Sequence, residues 1–480
     1  MSGICGIFNL DGAPADPREV ESLTAFVDAR GPDARHTWIG GEVGLGHTLL
    51  RTLSSVQSER QPLSLEGEVW ITADARIDGQ AELRRKLKAA GHEVPPTAQD
   101  AALILHAYRA WAEGCVGHLL GDFAFAIWDR RRKRLFCARD HFGVKPFFYA
   151  VVKGSFIFSN TLNCVRSHPR IDSDLNELAI ADFLLFERNQ DPTTTVYVGV
   201  RRLAPAECLT ANSADVKARR YWSLPYETRV HYRDEGEYVE RFQKLLGVAV
   251  ADRVQADRIS VTMSGGMDSA GVAATAARQL KCKGPLTLRA NTAVYDRLVQ
   301  DEERFYSGLV AEELGISINY RSVDDYKLYE RYDDLDAYLP EPFHDPLAVV
   351  PFDLTRDAAS HGRVVLTGYD GDALLSESPR PYFAHLLKER QLARLLTSAI
   401  RFAVSERKLL PAGALKSLNP LSAQSTPWRE PYPSWLNPEF EHRLHLGERF
   451  AEYADSAPVT HPIRPFAFKT FDYLSPFDVL

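Results

Sequence analysis

One segment constrains the fold of this 480-residue chain more than any other. An apolar strand, RISVTM at 258–263, leads into the loop SGGMDS at 264–269 and then into an apolar helix. Further strands and helices alternate up to RVVLTG at 363–368. This order is typical of a doubly wound parallel sheet, in which a helix crosses back over the sheet between successive strands. Because ligands of such sheets bind at the carboxyl ends of the strands, we expect the functional residues to follow the strands.

The amino-terminal part of the chain has a different pattern. Short runs of alternating residues predict antiparallel strands, the first of which buries Cys5, and two helices are predicted, one from Asp16-Pro17 and one at 100–111. Paired strands covered by helices indicate a layered α+β domain. We assign the chain to a first domain at 1–205, a linker at 206–235 and an α/β domain at 236–480, which is helical over 376–460.

Composition and charge exclude several classes of function. The 57 basic and 64 acidic residues give a net charge of -7, which does not favour a nucleic-acid partner. The basic run RRRKR at 130–134 lies between two apolar strands and predicts an exposed hairpin turn. No signal peptide or membrane span is recognisable, and the six cysteines lack CxxC spacing, which favours a reducing compartment and argues against structural zinc. We expect a cytoplasmic protein that binds neither nucleic acid nor membrane.

The loop SGGMDS is suited to bind the phosphate groups of a nucleotide. Gly265 and Gly266 allow a tight turn with inward N–H groups, and the helix beginning near Ser269 adds the positive end of its dipole. Ser264 completes the expected phosphate site. Asp268 is suited instead to the Mg²⁺ that accompanies a triphosphate. The alternative is an ordinary glycine-rich turn in which the aspartate caps the helix.

This loop resembles the pyrophosphate-binding loop of the N-type ATP pyrophosphatases, and together with the amino-terminal domain the chain is similar to the asparagine synthetase family. The resemblance implies a multi-domain α/β protein. An Ntn-hydrolase-like αββα glutaminase-type domain would precede an ATP pyrophosphatase domain of the adenine nucleotide alpha hydrolase-like type. It also implies that ATP, with Mg²⁺, adenylates a substrate carboxylate, that pyrophosphate leaves, and that an amine then forms an amide.

The same resemblance assigns residues after the strand at 363–368. In the motif LTGYDGD, Thr367 and Gly368 would line the nucleotide, and Asp372 would join Asp268 on magnesium. Alone, a strand that ends in a glycine-rich acidic turn is common. Paired with SGGMDS, it indicates the second wall of one nucleotide site.

Two acidic segments match family positions near the nucleotide and the acceptor substrate. They are DEER at 301–304 and PEPFHD at 340–345. Glu341 and Asp345 would orient a substrate amine, or they are solvated loop acids.

The amino-terminal domain departs from the family at its reactive positions. Ser2 occupies the place of the family's terminal cysteine nucleophile, although a thiolate is the better nucleophile. Leu49 stands where an arginine would hold the substrate carboxylate, and Asp74 and Arg76 replace the oxyanion-hole asparagine and the acid for the α-amino group. Two features are kept: RGPD at 30–33 and Asp100. We expect the shell of a glutaminase without its activity.

Tyr369 occupies the position of a glutamate in the asparagine synthetase motif SGEGSDE. A tyrosine there resembles the β-lactam synthetases, in which the phenol helps remove a proton from an amine that attacks intramolecularly. With a silent glutaminase, the chain resembles most the lasso-peptide cyclases, which close an activated Asp or Glu side chain of a precursor peptide onto its own N-terminal amine. This implies a peptide carboxylate substrate and, as partner, a maturation protease or a leader-peptide-binding protein. A packing role for Tyr369 is the alternative.

Two other interpretations of the chain stay open. One is an asparagine synthetase that uses an amino-acid carboxylate, aspartate, with glutamine or ammonia. The other is a non-catalytic ATP-binding homologue or scaffold. Family members continue to a lysine that steadies the adenylate and pyrophosphate charges, whereas this sequence ends SPFDVL at Leu480 and the context of Lys469 does not match. We therefore expect truncation at the carboxyl end, or a lysine supplied by another chain.

Overall fold

The structure is a computed structural model. It describes residues 1–52, 60–225, 230–256, 258–281, 288–335, 340–369, 371, 379–406 and 432–455. The chain divides into two compact units, one containing Met1–Gly368 and the other beginning at Tyr369.

The strands are β1 (Gly3–Asn9), β2 (Ala34–Gly40), β3 (Val43–Leu49), β4 (Leu63–Leu65), β5 (Val69–Ile77), β6 (Gly121–Asp129), β7 (Arg134–Arg139), β8 (Phe148–Val152), β9 (Ser155–Ser159), β10 (Arg201–Arg202), β11 (Glu207–Ala211), β12 (Val216–Arg220), β13 (Ile259–Thr262), β14 (Leu288–Val294), β15 (Ser317–Ser322) and β16 (Val364–Leu366). The α-helices are α1 (Pro17–Phe26), α2 (Gln80–Ala89), α3 (Asp100–Trp111), α4 (Leu162–Arg166), α5 (Glu177–Phe186), α6 (Glu235–Arg253), α7 (Met267–Lys281), α8 (Glu303–Leu314), α9 (Tyr332–Leu335), α10 (Val349–His361), α11 (Pro379–Lys388), α12 (Leu392–Glu406), α13 (Pro438–Leu444) and α14 (Leu446–Asp455).

Two six-stranded antiparallel sheets form the middle of the amino-terminal domain. Their strand orders are β10-β8-β9-β1-β3-β2 and β12-β11-β7-β6-β5-β4. Ile4 and Phe8 of β1 pack with Ala124 and Trp128 of β6, so the two sheets bury these faces against each other. Since successive side chains of a strand point to opposite faces, the residues between them must be covered from outside.

Helices cover the outer faces of both sheets. Cys5 and Ile7 of β1 pack against α1, and Phe123 and Phe125 of β6 pack in a cluster that includes residues of α3. Because β6 is buried on both faces, its sequence GDFAFAIWD is apolar with little alternation. The layered domain predicted from the sequence is confirmed as an αββα arrangement.

Several local predictions are also confirmed. Asp16 caps α1 by accepting a hydrogen bond from Arg18 N at 2.8 Å, with Pro17 at the first helical position. The basic run at 130–134 joins β6 to β7 as a hairpin. Part of the expected linker differs: residues 207–220 form β11 and β12, and β11 pairs with β7 and buries Cys208 in the core.

The second half contains the predicted parallel sheet, in the order β15-β14-β13-β16. All its neighbouring strands run parallel. The first connections add β14 and then β15 on one side of β13, whereas the chain returns through α10 to place β16 on the other side. The order therefore reverses between β13 and β16, and the crevice at their carboxyl ends is the expected ligand site of such a sheet.

The regular elements described in the second unit are the four helices α11 to α14. Asp372, Lys469 and Leu480 lie outside the described residues. Among the residues that are described, no helix has both the length and the apolar character needed to cross a membrane.

Candidate active sites

The first candidate site surrounds Ser2 at the start of β1. The Ser2 N–H donates to Asp74 Oδ1 at 3.2 Å, and the Ser2 Oγ accepts from Leu50 N at 3.1 Å. Asn160 Nδ2 donates to the Ser2 carbonyl at 2.8 Å and lies 3.4 Å from Asp74 Oδ2. The structure thus brings together Ser2 and Asp74, two of the positions that the resemblance assigns to the glutaminase site.

A buried ion pair fills this site. Lys145 Nζ lies 3.2 Å from Asp74 Oδ1, and the two side chains are only 13% and 6% exposed. Burial raises the pKa of Asp74, but Lys145, the terminal amine and Arg30 together outweigh burial and hold that pKa below its ordinary value. Asp74 is therefore an anion at neutral pH.

Burial holds two further groups of the site uncharged at neutral pH. Burial lowers the pKa of the Met1 amine to about 5 and that of His47 to about 4. His47 is 1% exposed, and its Nε2 has no hydrogen-bond partner among the described residues. At neutral pH the site therefore presents a fixed carboxylate near Ser2, where an acyl-transfer enzyme needs donors for a developing oxyanion.

Two of the other glutaminase positions, Arg76 and Asp100, make structural contacts within the domain. Arg76 Nε donates to Asp78 Oδ1 at 2.9 Å, and its Nη2 lies 2.8 Å from Asp122 Oδ2. Asp100 Oδ1 accepts from Ile77 N at 3.0 Å, and so connects β5 to the start of α3. Leu49 is half-buried at the end of β3 and offers no charge to a substrate carboxylate.

The second candidate site is the loop between β13 and α7. Ser269 Oγ accepts from Ser264 N at 3.0 Å and lies 3.0 Å from Ser264 Oγ, which in turn accepts from Gly266 N at 3.2 Å. These bonds fold the loop back over the amino-terminal end of α7. Asp268 lies in the first turn of this helix and is half-buried.

The end of β16 lies against this loop. A Cβ added to Gly368 would stand 2.5 Å from Ser269 N, so the backbones of the two motifs are in direct contact and only glycine fits. Thr367 is exposed beside it. On the other side, Gly265 N donates to a carboxylate oxygen of Glu303 in α8. The loops predicted to form one site are thus adjacent.

The remaining predicted residues are placed differently. Glu341 accepts a hydrogen bond from Val196 N at 3.2 Å and forms an ion pair with the buried Arg202, so it connects the α/β half to the amino-terminal domain. Asp345 is exposed and accepts from Leu347 N at 2.8 Å. Tyr369, the first residue of the second unit, is 73% exposed.

Lys145, Asn160 and His47 were not anticipated from the sequence. Lys145 lies in the loop HFGVKPFF, and Asn160 follows β9. No local pattern distinguishes either residue from an ordinary surface loop residue. His47 falls in LGHTLL, where its position in a buried strand predicts burial but not its proximity to Asp74.

Comparison with known proteins adds to this geometry. A model of the glutamine amidotransferase domain matches residues 1–222, and a model of asparagine synthase matches 241–472. The glutamine-hydrolyzing asparagine synthetase 3 of Bacillus subtilis is 30% identical over 301 residues, covering 62% of this chain and 48% of the relative. Asparagine synthetase 2 of the same organism is 27% identical over 463 residues, covering 89% and 61%. The amidase chry2 of Gibberella zeae is 26% identical over 391 residues, covering 74% and 54%.

The fold, the two sites and these matches define the class. It is an Ntn-type glutamine amidotransferase domain followed by an ATP pyrophosphatase domain. Residues 1–222 belong to the glutamine amidotransferase domain family and residues 241–472 to the asparagine synthase family, and the chain is similar over both to glutamine-hydrolyzing asparagine synthetases. It spans between 48% and 61% of the length of the three relatives described.

Proposed function

We propose that the protein is an ATP-dependent ligase that activates a carboxylate as an acyl-adenylate and joins it to an amine, releasing pyrophosphate and AMP. The observation that carries the proposal is the contact of Gly368 with Ser269 at the point where the strand order reverses. This contact places the Thr367–Gly368 turn against the amino terminus of α7, whose dipole favours phosphate groups. The Gly265 and Gly266 N–H groups donate to Glu303 and to Ser264 Oγ in this structure and would exchange these acceptors for phosphate oxygens.

Residues of the loop have separate roles in this proposal. Ser264, Gly265, Gly266 and Ser269 would bind the pyrophosphate portion of ATP, with Thr367 and Gly368 on the facing turn. Asp268 fits a Mg²⁺ ligand because its carboxylate lies at the same helix end and Mg²⁺ prefers oxygen donors; Asp372 would be the second ligand. When bound, the ion would neutralise charge on the triphosphate.

The amine, in our proposal, does not come from glutamine. Asp74 stands where the family's asparagine would donate a hydrogen bond to a negatively charged tetrahedral intermediate at Ser2, and an ionised carboxylate can only accept. Lys145 balances the charge of Asp74, so what the site lacks is this donor, and removing even one oxyanion donor costs about a hundredfold in rate. We therefore propose a silent glutaminase and an amine that belongs to the substrate itself or to free ammonia.

The finer proposal is closure of a peptide onto its own amine, as in lasso-peptide cyclases. It is supported by Tyr369, whose exposed side chain would help to remove the amine proton, and by the filled glutaminase pocket. A maturation protease or leader-peptide-binding protein would then be the partner. The second candidate is asparagine synthesis from aspartate, which is the activity in the names of the two Bacillus subtilis relatives.

The test is ATP–pyrophosphate exchange by the full chain with Mg²⁺. Aspartate is compared with a precursor peptide that carries an Asp or Glu side chain near its N-terminus. The variant Asp268→Asn should abolish exchange, whereas Asp252→Asn on α6, outside the loop, should leave it unchanged.

The outcomes separate the candidates. Exchange that requires the peptide supports the cyclase, and exchange with aspartate supports asparagine synthesis. Absence of exchange with either substrate contradicts the ligase proposal and favours a non-catalytic ATP-binding protein or scaffold. Glutamate released from glutamine faster by the native protein than by Ser2→Ala would contradict the silent glutaminase.

A further inference from the structure

Strand β16 is short and is fixed at both ends by close backbone contacts. It has three residues and pairs with β13 on one side. A Cβ added to Gly362 would stand 2.3 Å from Arg258 O, just before β13, and a Cβ added to Gly368 would stand 2.5 Å from Ser269 N. A small shift of β16 therefore moves the Thr367–Gly368 turn directly against the nucleotide loop.

The residue that begins this segment is bound to the amino-terminal domain. Both terminal nitrogens of Arg363 donate to the two carboxylate oxygens of Asp33, one of them at 3.0 Å. Arg363 Nη1 also donates to Arg51 O at 2.9 Å, and Arg51 N donates to Asp33 Oδ2 at 2.6 Å. The guanidinium and the backbone amide thus give one carboxylate three hydrogen bonds in a defined geometry.

This arrangement differs from an ordinary exposed ion pair. A bidentate guanidinium–carboxylate pair fixes orientation as well as distance. Its partners come from segments 330 positions apart, the RGPD motif and the start of β16. Arg363 directly precedes Val364, the first residue of β16, so the ion pair holds the backbone at the start of the strand without an intervening loop.

We infer that Asp33 is a positioning residue for the ligase site, through which the amino-terminal domain orients β16 and its Thr367–Gly368 turn. The amidotransferase domain is retained as a scaffold even though its own reactive pocket is filled. The consequence for catalysis rests on the proposed function; the consequence for the strand does not.

The first test is hydrogen exchange of the full chain without substrate. In Asp33→Asn, the amides of 364–368 should exchange about fivefold faster than in the native protein, because a partly exposed pair contributes about that factor to a local opening equilibrium. Amides of β1 should be unaffected. Glu82→Gln, which breaks an exposed ion pair with Arg85 on α2, is the matched control and should leave both segments unchanged.

A second variant separates geometry from charge. Arg363→Lys keeps the positive charge but loses the planar bidentate guanidinium, so it should reproduce the faster exchange at 364–368. The double variant Asp33→Arg with Arg363→Asp can re-form the ion pair but not the two hydrogen bonds to the Arg51 backbone, so it should recover part of the protection. Unchanged exchange in both single variants overturns the inference, whether or not the chain has ligase activity. If ATP–pyrophosphate exchange is measurable, Asp33→Asn should raise the KM for ATP more than it lowers kcat. A uniform increase in hydrogen exchange throughout the chain of Asp33→Asn would also overturn the inference, because it would indicate a general loss of stability.

Discussion

Replacing Lys145 by methionine tests how the pocket around Ser2 is built. Lys145 is the close cationic partner of the buried Asp74, at 3.2 Å. Removing one member of a buried pair leaves an uncompensated charge and typically costs about 3 to 5 kcal/mol. Asp74 keeps the N–H donors of Ser2 and Asn160. Each such hydrogen bond contributes about 1 kcal/mol and continues to stabilise the carboxylate in the variant. We therefore expect a loss in the free energy of unfolding at the lower end of this range, about 3 kcal/mol.

The effect of Lys145→Met on the free energy of unfolding should depend on pH. In the native protein the pKa of Asp74 is below its ordinary value. The ionised carboxylate therefore adds to the free energy of unfolding above the ordinary pKa, and this stabilisation is lost as the pH falls through the pKa that Asp74 has in the folded state. Without Lys145, burial dominates and raises this pKa. At pH 7.5 the variant is therefore destabilised by a buried, unpaired carboxylate. At pH 5 the carboxyl group takes up a proton, and this destabilisation decreases. The stability difference should therefore shrink as the pH is lowered.

Urea unfolding of Lys145→Met, followed by circular dichroism at pH 7.5 and pH 5, measures both quantities. The double variant Asp74→Asn with Lys145→Met is the control, because it leaves no buried charge from this pair and should recover most of the loss. A difference below about 1 kcal/mol that does not vary with pH would refute the reasoning, since that is the behaviour of an exposed pair.

Three further predictions concern other buried groups. Gly368→Ala should reduce ATP–pyrophosphate exchange at least about tenfold with the fold retained, because overpacking against the backbone of Ser269 costs about 1 to 3 kcal/mol; unchanged exchange would show that the two loops need not touch. His47 has its pKa lowered to about 4, so between its ordinary value and pH 4 the unfolded chain binds a proton that the folded chain does not. Stability should fall by about 1.4 kcal/mol per pH unit there, and urea unfolding of His47→Gln should lack this slope. Burial raises the pKa of the Cys5 thiol to about 12, so iodoacetamide at pH 8 should label it only after unfolding; because the sequence has six cysteines, the labelled residue is located by peptide mapping, and labelling of Cys5 in the native chain would contradict its position on β1.

Much of the fold follows from local patterns. The alternation in β1 predicts the burial of Cys5, the pair Asp16 and Pro17 predicts the start of α1, and the strand–loop–helix pattern around 264–269 predicts the parallel sheet. These features depend on residues close in sequence, because strand periodicity, helix caps and glycine turns are properties of a few neighbouring residues.

Only part of the candidate sites could be predicted, again because local patterns report on residues close in sequence. The motifs that contact phosphates in our proposal could be located because each sits at a strand end, and ends of parallel strands meet at one edge of a sheet. The use of Glu341 to bind Arg202 could not be anticipated, because an acid in a loop is ordinarily solvated and its partner lies in the other domain.

The sequence by itself determined a layered α+β domain, the parallel sheet and the loop at the carboxyl end of β13, since these arise from local periodicity and turn chemistry. The αββα order of the layers was implied by the family resemblance alone. Only the tertiary structure decided that Lys145 neutralises Asp74 beside Ser2, and that Asp33 binds Arg363 from 330 positions away. The partner of a charged side chain depends on which distant segments the fold brings within a few ångströms, and no local pattern carries that information.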